Sequence, residues 1–157
     1  MDYLNLNLSS ACAFFSNPEN TSVFPKSFPS DILGILSIID TCSGVAGSFL
    51  PHITKIRASL SFWHATAVNI MKNLESKRLM VFSFLLPQAE KALQDSGRTK
   101  PTKDDIESWV RSRPEYISAN RTLLSVNMIA DFLSSLNVAI SDNIFVQMSV
   151  SERQMQG

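Results

Sequence analysis

Residues 53–84, ITKIRASLSFWHATAVNIMKNLESKRLMVFSF, carry the pattern that decides the fold. Apolar side chains recur there at alternating spacings of three and four residues, which is the a/d repeat of a helix that packs against another helix. The repeat consists of Ile53, Ile56, Leu60, Trp63, Ala67, Ile70, Leu74, Val81 and Phe84, with Lys77 as its interruption. We therefore predict one long helix over residues 51–95 with this face buried.

A second apolar repeat follows in the C-terminal third of the chain, within a helix predicted over residues 114–150. Its members have the same spacing: Val126, Ile129, Leu133, Leu136 and Ile140. Between the two helices, Gly97 is suited to ending the first one, while Thr102 and Asp105 resemble a capping box that starts a short helix over residues 103–112. Two such helices bury their apolar faces most simply against each other. The predicted fold is all-α: a long antiparallel, coiled-coil-like hairpin with a short connecting helix.

The first fifty residues differ in composition from the rest. Three prolines interrupt an Asn- and Ser-rich stretch that also holds phenylalanines: Pro18, Pro25 and Pro29. Proline at this density excludes a long helix, so we predict an arm over residues 1–30 that packs on the remainder. Residues 31–50 are the most apolar run, predicted as a buried helix. Asp40 in its middle argues against a membrane span. The predicted organisation is arm 1–30, apolar helix 31–50 and hairpin domain 51–153.

Composition limits the chemistry that the chain can perform. Of 157 residues, 45% are hydrophobic and 18% charged, which excludes wholesale disorder. Two cysteines and two histidines make neither a disulfide scaffold nor a metal-ligand cluster. The sequence also lacks a phosphate loop, a dinucleotide glycine pattern, an HExxH motif and a nucleophile elbow. We expect no enzymatic activity, no cofactor, no metal and a reducing intracellular environment.

Charge is distributed unevenly although 14 basic and 14 acidic residues cancel. Residues 51–103 hold nine basic and three acidic residues, a net charge of +6, and the two flanking segments each carry −3. Such a basic stripe fits a phosphate backbone, or it is a solvated helix face balanced by an acidic partner helix. Trp109 and Tyr116 near the basic loop could stack on bases, or could pack the connection onto the hairpin.

The run over residues 95–116, DSGRTKPTKDDIESWVRSRPEY, lies between the two long helices. A basic helix, a Ser-Gly-basic loop, a short acidic-capped helix and a long closing helix follow one another in this order. This layout resembles the UvsY-like recombination, repair and single-stranded-DNA-binding proteins of tailed phages. The resemblance covers about residues 55–153 and rests on Ser96-Gly97-Arg98, Pro101-Thr102 and Pro114-Glu115-Tyr116. Residues 1–50 lie outside it.

The resemblance implies a non-catalytic recombination mediator, located in the host cytoplasm, that binds single-stranded DNA as an oligomer and helps to load a recombinase. The DNA contacts would then be Lys72, Lys77, Arg78, Arg98, Lys100, Lys103 and Trp109. The alternative is a helical structural or assembly protein of a phage particle, in the virion, that acts only through protein–protein contacts, with virion proteins as possible partners. A membrane-associated role for residues 31–50 ranks third. We also expect a homo-oligomer, because one hairpin cannot cover all of its apolar surface.

Overall fold

The computed structural model describes the backbone of residues 8–42 and 50–155 and the side chains of residues 8–42 and 51–142. These ranges contain α-helices, one 3₁₀ turn over Pro18–Thr21, and no strand. The helices are α1 over Leu8–Ser16, α2 over Phe28–Cys42, α3 over Leu50–Asp95, α4 over Lys103–Arg111 and α5 over Pro114–Met155. The predicted all-α class is confirmed.

The connection between α3 and α4 contains the turn chemistry that the sequence predicts. Gly97 has φ of +94°, the left-handed conformation that ends α3. Its N–H donates to the carbonyl of Gln94, and the N–H of Arg98 donates to the carbonyl of Leu93, which together form a Schellman motif. Thr102 and Asp105 form the capping box at the start of α4. The end of α3 and the start of α4 are therefore set by local sequence signals.

The N-terminal region differs from the prediction. Helix α1, Leu8–Ser16, lies within the segment predicted as an arm, because the prolines begin only at Pro18 and leave the preceding residues free to be helical. Helix α2 begins at Phe28, earlier than predicted, and Pro29 is accommodated in its first turn, where no intrahelical N–H donor is needed. Residues 43–49, the end of the predicted apolar helix, lie outside the described residues.

The chain divides into two compact units, and unit one consists of Met1–Ala67 and Ile129–Gly157. Its core combines aliphatic side chains of the long helices with aromatic rings of α1 and α2. The ring centroids of Phe28 and Trp63 lie 4.9 Å apart, and those of Phe15 and Phe132 lie 5.3 Å apart. The fully buried side chains of this unit include Phe28, Ile32, Leu36, Leu60, Ile129 and Leu133. Helices α1 and α2 therefore contribute aromatic side chains to the core that α3 and α5 form in unit one.

Unit two consists of Val68–Met128 and contains the end of α3, all of α4 and the start of α5. Leu85, Ala89 and Val110 form its buried centre. Around them pack the half-buried side chains of Val81, Phe82, Leu86, Ile106, Trp109 and Tyr116. Arg78 and Phe82 of α3 contact Asn120 and Tyr116 of α5, in reversed order along the chain. The two helices therefore run antiparallel within this unit.

The buried face of α3 departs from the strict heptad repeat toward its C-terminal end. Ile53, Ile56, Leu60, Trp63 and Ala67 are buried, whereas Ile70, Leu74 and Val81 are only half-buried. The prediction that Phe84 shares this face is wrong, because its side chain is 72% exposed and the buried positions are Leu85 and Ala89. A straight α-helix drifts by ~20° per heptad from a 3.5-residue repeat. Over about four heptads the drift reaches ~80°, close to the ~100° between neighbouring residues, so the buried face moves by about one position.

Candidate nucleic-acid interface

The loop that was predicted to contact DNA is tied to α4 by the carboxylate of Asp105. Asp105 accepts a hydrogen bond from the backbone N–H of Thr102 at 3.1 Å and a charge-assisted one from the guanidinium of Arg98. These hydrogen bonds lower the pKa of the Asp105 carboxyl from 3.8 to about 2. The bond from Arg98 is the largest cause, followed by those from Thr102. The ionised carboxylate therefore fixes the loop against the start of α4.

Acidic side chains of α4 engage two of the three cations that were predicted as DNA contacts in this loop and at the start of α4. Arg98 is paired with Asp105, and the ammonium of Lys103 lies 3.8 Å from a carboxylate oxygen of Glu107. Lys100 is exposed and makes no ion pair with any described residue. A phosphate at Arg98 or Lys103 would have to compete with a carboxylate already in place.

Trp109 is half-buried and packs against the core of unit two. The guanidinium carbon of Arg113 lies 4.0 Å from the centroid of the indole ring, which is cation–π geometry. That face of the ring is therefore occupied by a side chain of the same chain. The position stays a predicted DNA contact, but a base would need to displace Arg113 to stack there.

The predicted basic positions of α3 fall into two groups. Arg78 is half-buried, donates to the side-chain oxygen of Asn120 at 3.1 Å and lies 3.9 Å from Glu75. It connects α3 to α5 within unit two. Lys72 and Lys77 are exposed, and neither forms an ion pair within the described part of the chain. These two lysines are therefore free to bind an external anion.

One side of α3 carries exposed residues at helical spacing. Of these residues, the sequence predicted Lys77 as a DNA contact. Lys77, Met80, Phe84 and Lys91 follow one another at intervals of three, four and seven residues, which places them on one side of the helix. All four are exposed, with Met80 at 73% and Phe84 at 72%. Lys77, which interrupts the buried heptad, was the signal in the sequence that this side turns outward.

Positive charge is concentrated in unit two. Residues 68–128 hold ten basic and seven acidic residues, a net charge of +3, whereas the two segments of unit one together hold four basic and seven acidic residues, a net charge of −3. The exposed lysines without an ion pair among the described residues of unit two are Lys72, Lys77, Lys91 and Lys100. Unit two therefore has the charge suited to a polyanion.

The described residues also define what other chemistry is present. They contain no group of three or more His, Cys, Asp and Glu side chains placed to hold a metal ion. One stretch of helix among them, Pro114–Asp142 in α5, is long and apolar enough to cross a membrane by length and composition alone. One third of its most apolar window is buried among the described residues.

Comparisons with models of protein families, with curated proteins and with solved structures found no match to this chain. The UvsY-like resemblance of residues 55–153 therefore stays a prediction. The functional argument rests on the charge, exposure and contacts of the described side chains.

Proposed function

We propose that the chain is a non-catalytic single-stranded-DNA-binding protein that assists recombinase loading during phage recombination. The observation that carries DNA binding is the set of free lysines in unit two: Lys72, Lys77, Lys91 and Lys100 are exposed and without an ion pair among the described residues. Neutralising phosphates with lysine releases condensed counterions, which drives binding without sequence preference. The recombinase-loading role is supported by the layout of residues 55–153 alone.

Salt dependence of binding tests the proposal. We expect the wild-type protein to bind a labelled single-stranded oligonucleotide at low salt, measured by fluorescence anisotropy, with affinity that falls steeply as salt rises. Replacing all four free lysines of unit two with alanine should weaken binding to every sequence alike. The log–log salt slope should drop by up to ~2.8, since each phosphate contact on a single strand contributes ~0.7.

A matched control uses exposed lysines of unit one. Lys26 and Lys55 are exposed but lie in the unit with net charge −3, so Lys26→Ala/Lys55→Ala should leave the salt slope unchanged. Absence of binding by the wild-type protein at low salt would contradict the proposal. Faster recombinase assembly on strands coated with single-strand-binding protein is the expected result for the mediator role.

The second candidate is a structural or assembly protein of a phage particle, and an apolar face of α5 favours it. Ile117, Leu124 and Met128 are exposed at intervals of seven and four residues, so they line one side of the helix in unit two. Exposed apolar faces of this kind are typical of protein contacts. A mass well above the 17.4 kDa of one chain, measured by light scattering and lowered by Leu124→Glu, is the result expected for self-assembly. A monodisperse monomer at micromolar concentration would contradict it.

A further inference from the structure

Met80 and Phe84 are the most exposed large apolar side chains among those described. They lie on the side of α3 opposite the side that contacts the core of unit two, where Phe82, Leu85 and Ala89 pack. An aromatic ring that is 72% exposed has a hydration cost that nothing in the described part of unit two relieves. Packing within the described part of unit two therefore does not account for the exposed Met80 and Phe84.

Lysines flank this pair on the same side of the helix. Lys77 and Lys91 each lie seven residues from Phe84, which is ~10.5 Å along the helix axis in either direction. On this side the positions from Asn73 to Lys91 include no acidic residue, and Asp95 follows one turn beyond Lys91. The surface consequently combines a flat apolar ring with positive charge before and after it.

This combination decides between possible occupants. A second copy that used the same face would bring Lys77 and Lys91 against the same lysines of the other copy, with Asp95 at the end of α3 as the one carboxylate on this side between Asn73 and Asp95, and like charges across a contact are unfavourable. An unpaired nucleic-acid strand offers the complementary features, because its bases stack on exposed aromatic rings and its phosphates accept lysine ammonium groups. The charge therefore favours a single strand over self-association at this face.

We propose that Phe84 is a stacking platform for an unpaired base and that Lys77 and Lys91 bind phosphates of the same strand on either side of it. The inference rests on the proposed DNA-binding function and names its contact surface. That surface is the outward side of α3, rather than the loop whose Arg98 is paired with Asp105. Since every base has a π-face, this contact does not depend on sequence.

Substitution of the ring tests the platform. Phe84→Ala should weaken binding to a labelled oligo(dT) by roughly ten-fold or more, in the range of base–aromatic stacking. Phe84→Leu should weaken it similarly, because leucine retains apolar surface but offers no ring for a base. Phe62→Ala is the matched control, since Phe62 is a phenylalanine of α3 in unit one that is 61% exposed. It should leave the affinity unchanged. Circular dichroism checks that each variant remains helical.

The lysines provide a second, independent readout. Lys77→Ala/Lys91→Ala should weaken oligo(dT) binding more than Lys72→Ala/Lys100→Ala, although each pair removes two charges. If the Phe84→Ala variant or the Phe84→Leu variant bound oligo(dT) as tightly as the wild-type protein, the stacking platform would be overturned. The DNA-binding function would stay in place. Failure of the wild-type protein itself to bind oligo(dT) would overturn both.

Discussion

The core of unit one yields a sharp prediction at Leu60, whose side chain is 0% exposed. Leu60→Ala deletes three apolar carbons, and at ~0.8 kcal/mol per buried methylene the lost transfer free energy is ~2.4 kcal/mol. The cavity that remains adds ~1–2 kcal/mol, because a position so fully enclosed by helices can collapse only in part. We therefore expect the free energy of unfolding to fall by ~3.5–4.5 kcal/mol.

Urea denaturation followed by circular dichroism measures this change as a lower midpoint with an unaltered slope. The protein concentration must be the same for all variants, because self-association would add to the apparent stability. Leu79→Ala is the control, since Leu79 lies on the same helix but is 57% exposed, and it should change stability by no more than about 0.5 kcal/mol. Equal losses in the two variants would refute the assignment of the buried face of α3.

Two further predictions concern the connection between α3 and α4, and a third concerns Gly34 of α2. The pKa of Asp105 is lowered to about 2, so the stability that its pairing with Arg98 contributes is present above the ordinary value of 3.8 and is lost as the pH falls toward 2. Thermal unfolding between pH 5 and 2 should show this loss, and Asp105→Asn should remove that part of the pH dependence. Gly97→Ala should destabilise the protein by ~1–2 kcal/mol because φ is +94°, whereas Gly34→Ala, in an exposed helical position with open space around it, should stabilise it by ~0.4–1 kcal/mol in the same denaturation assay.

Only part of the candidate site could be predicted from the sequence. Lys72 and Lys77 were predicted as DNA contacts, and the structure leaves both exposed and without an ion pair among the described residues. Arg98 was predicted from its charge and Trp109 as a ring for base stacking, but they are engaged by Asp105 and Arg113, respectively. A charge count does not reveal these contacts, because an ion pair depends on which side chains the fold brings within reach. Their assignment as DNA contacts stays a prediction.

The sequence by itself determined the all-α class, the two long helices and the turn between α3 and α4. These features depend on interactions within a few residues: apolar periodicity, the left-handed conformation at Gly97 and the capping box of Thr102. Tertiary structure decided which side of α3 is buried near its end. Phe84 satisfies the heptad repeat but faces outward, since a straight helix with 3.6 residues per turn rotates away from a 3.5-residue repeat and the core closes on Leu85 instead.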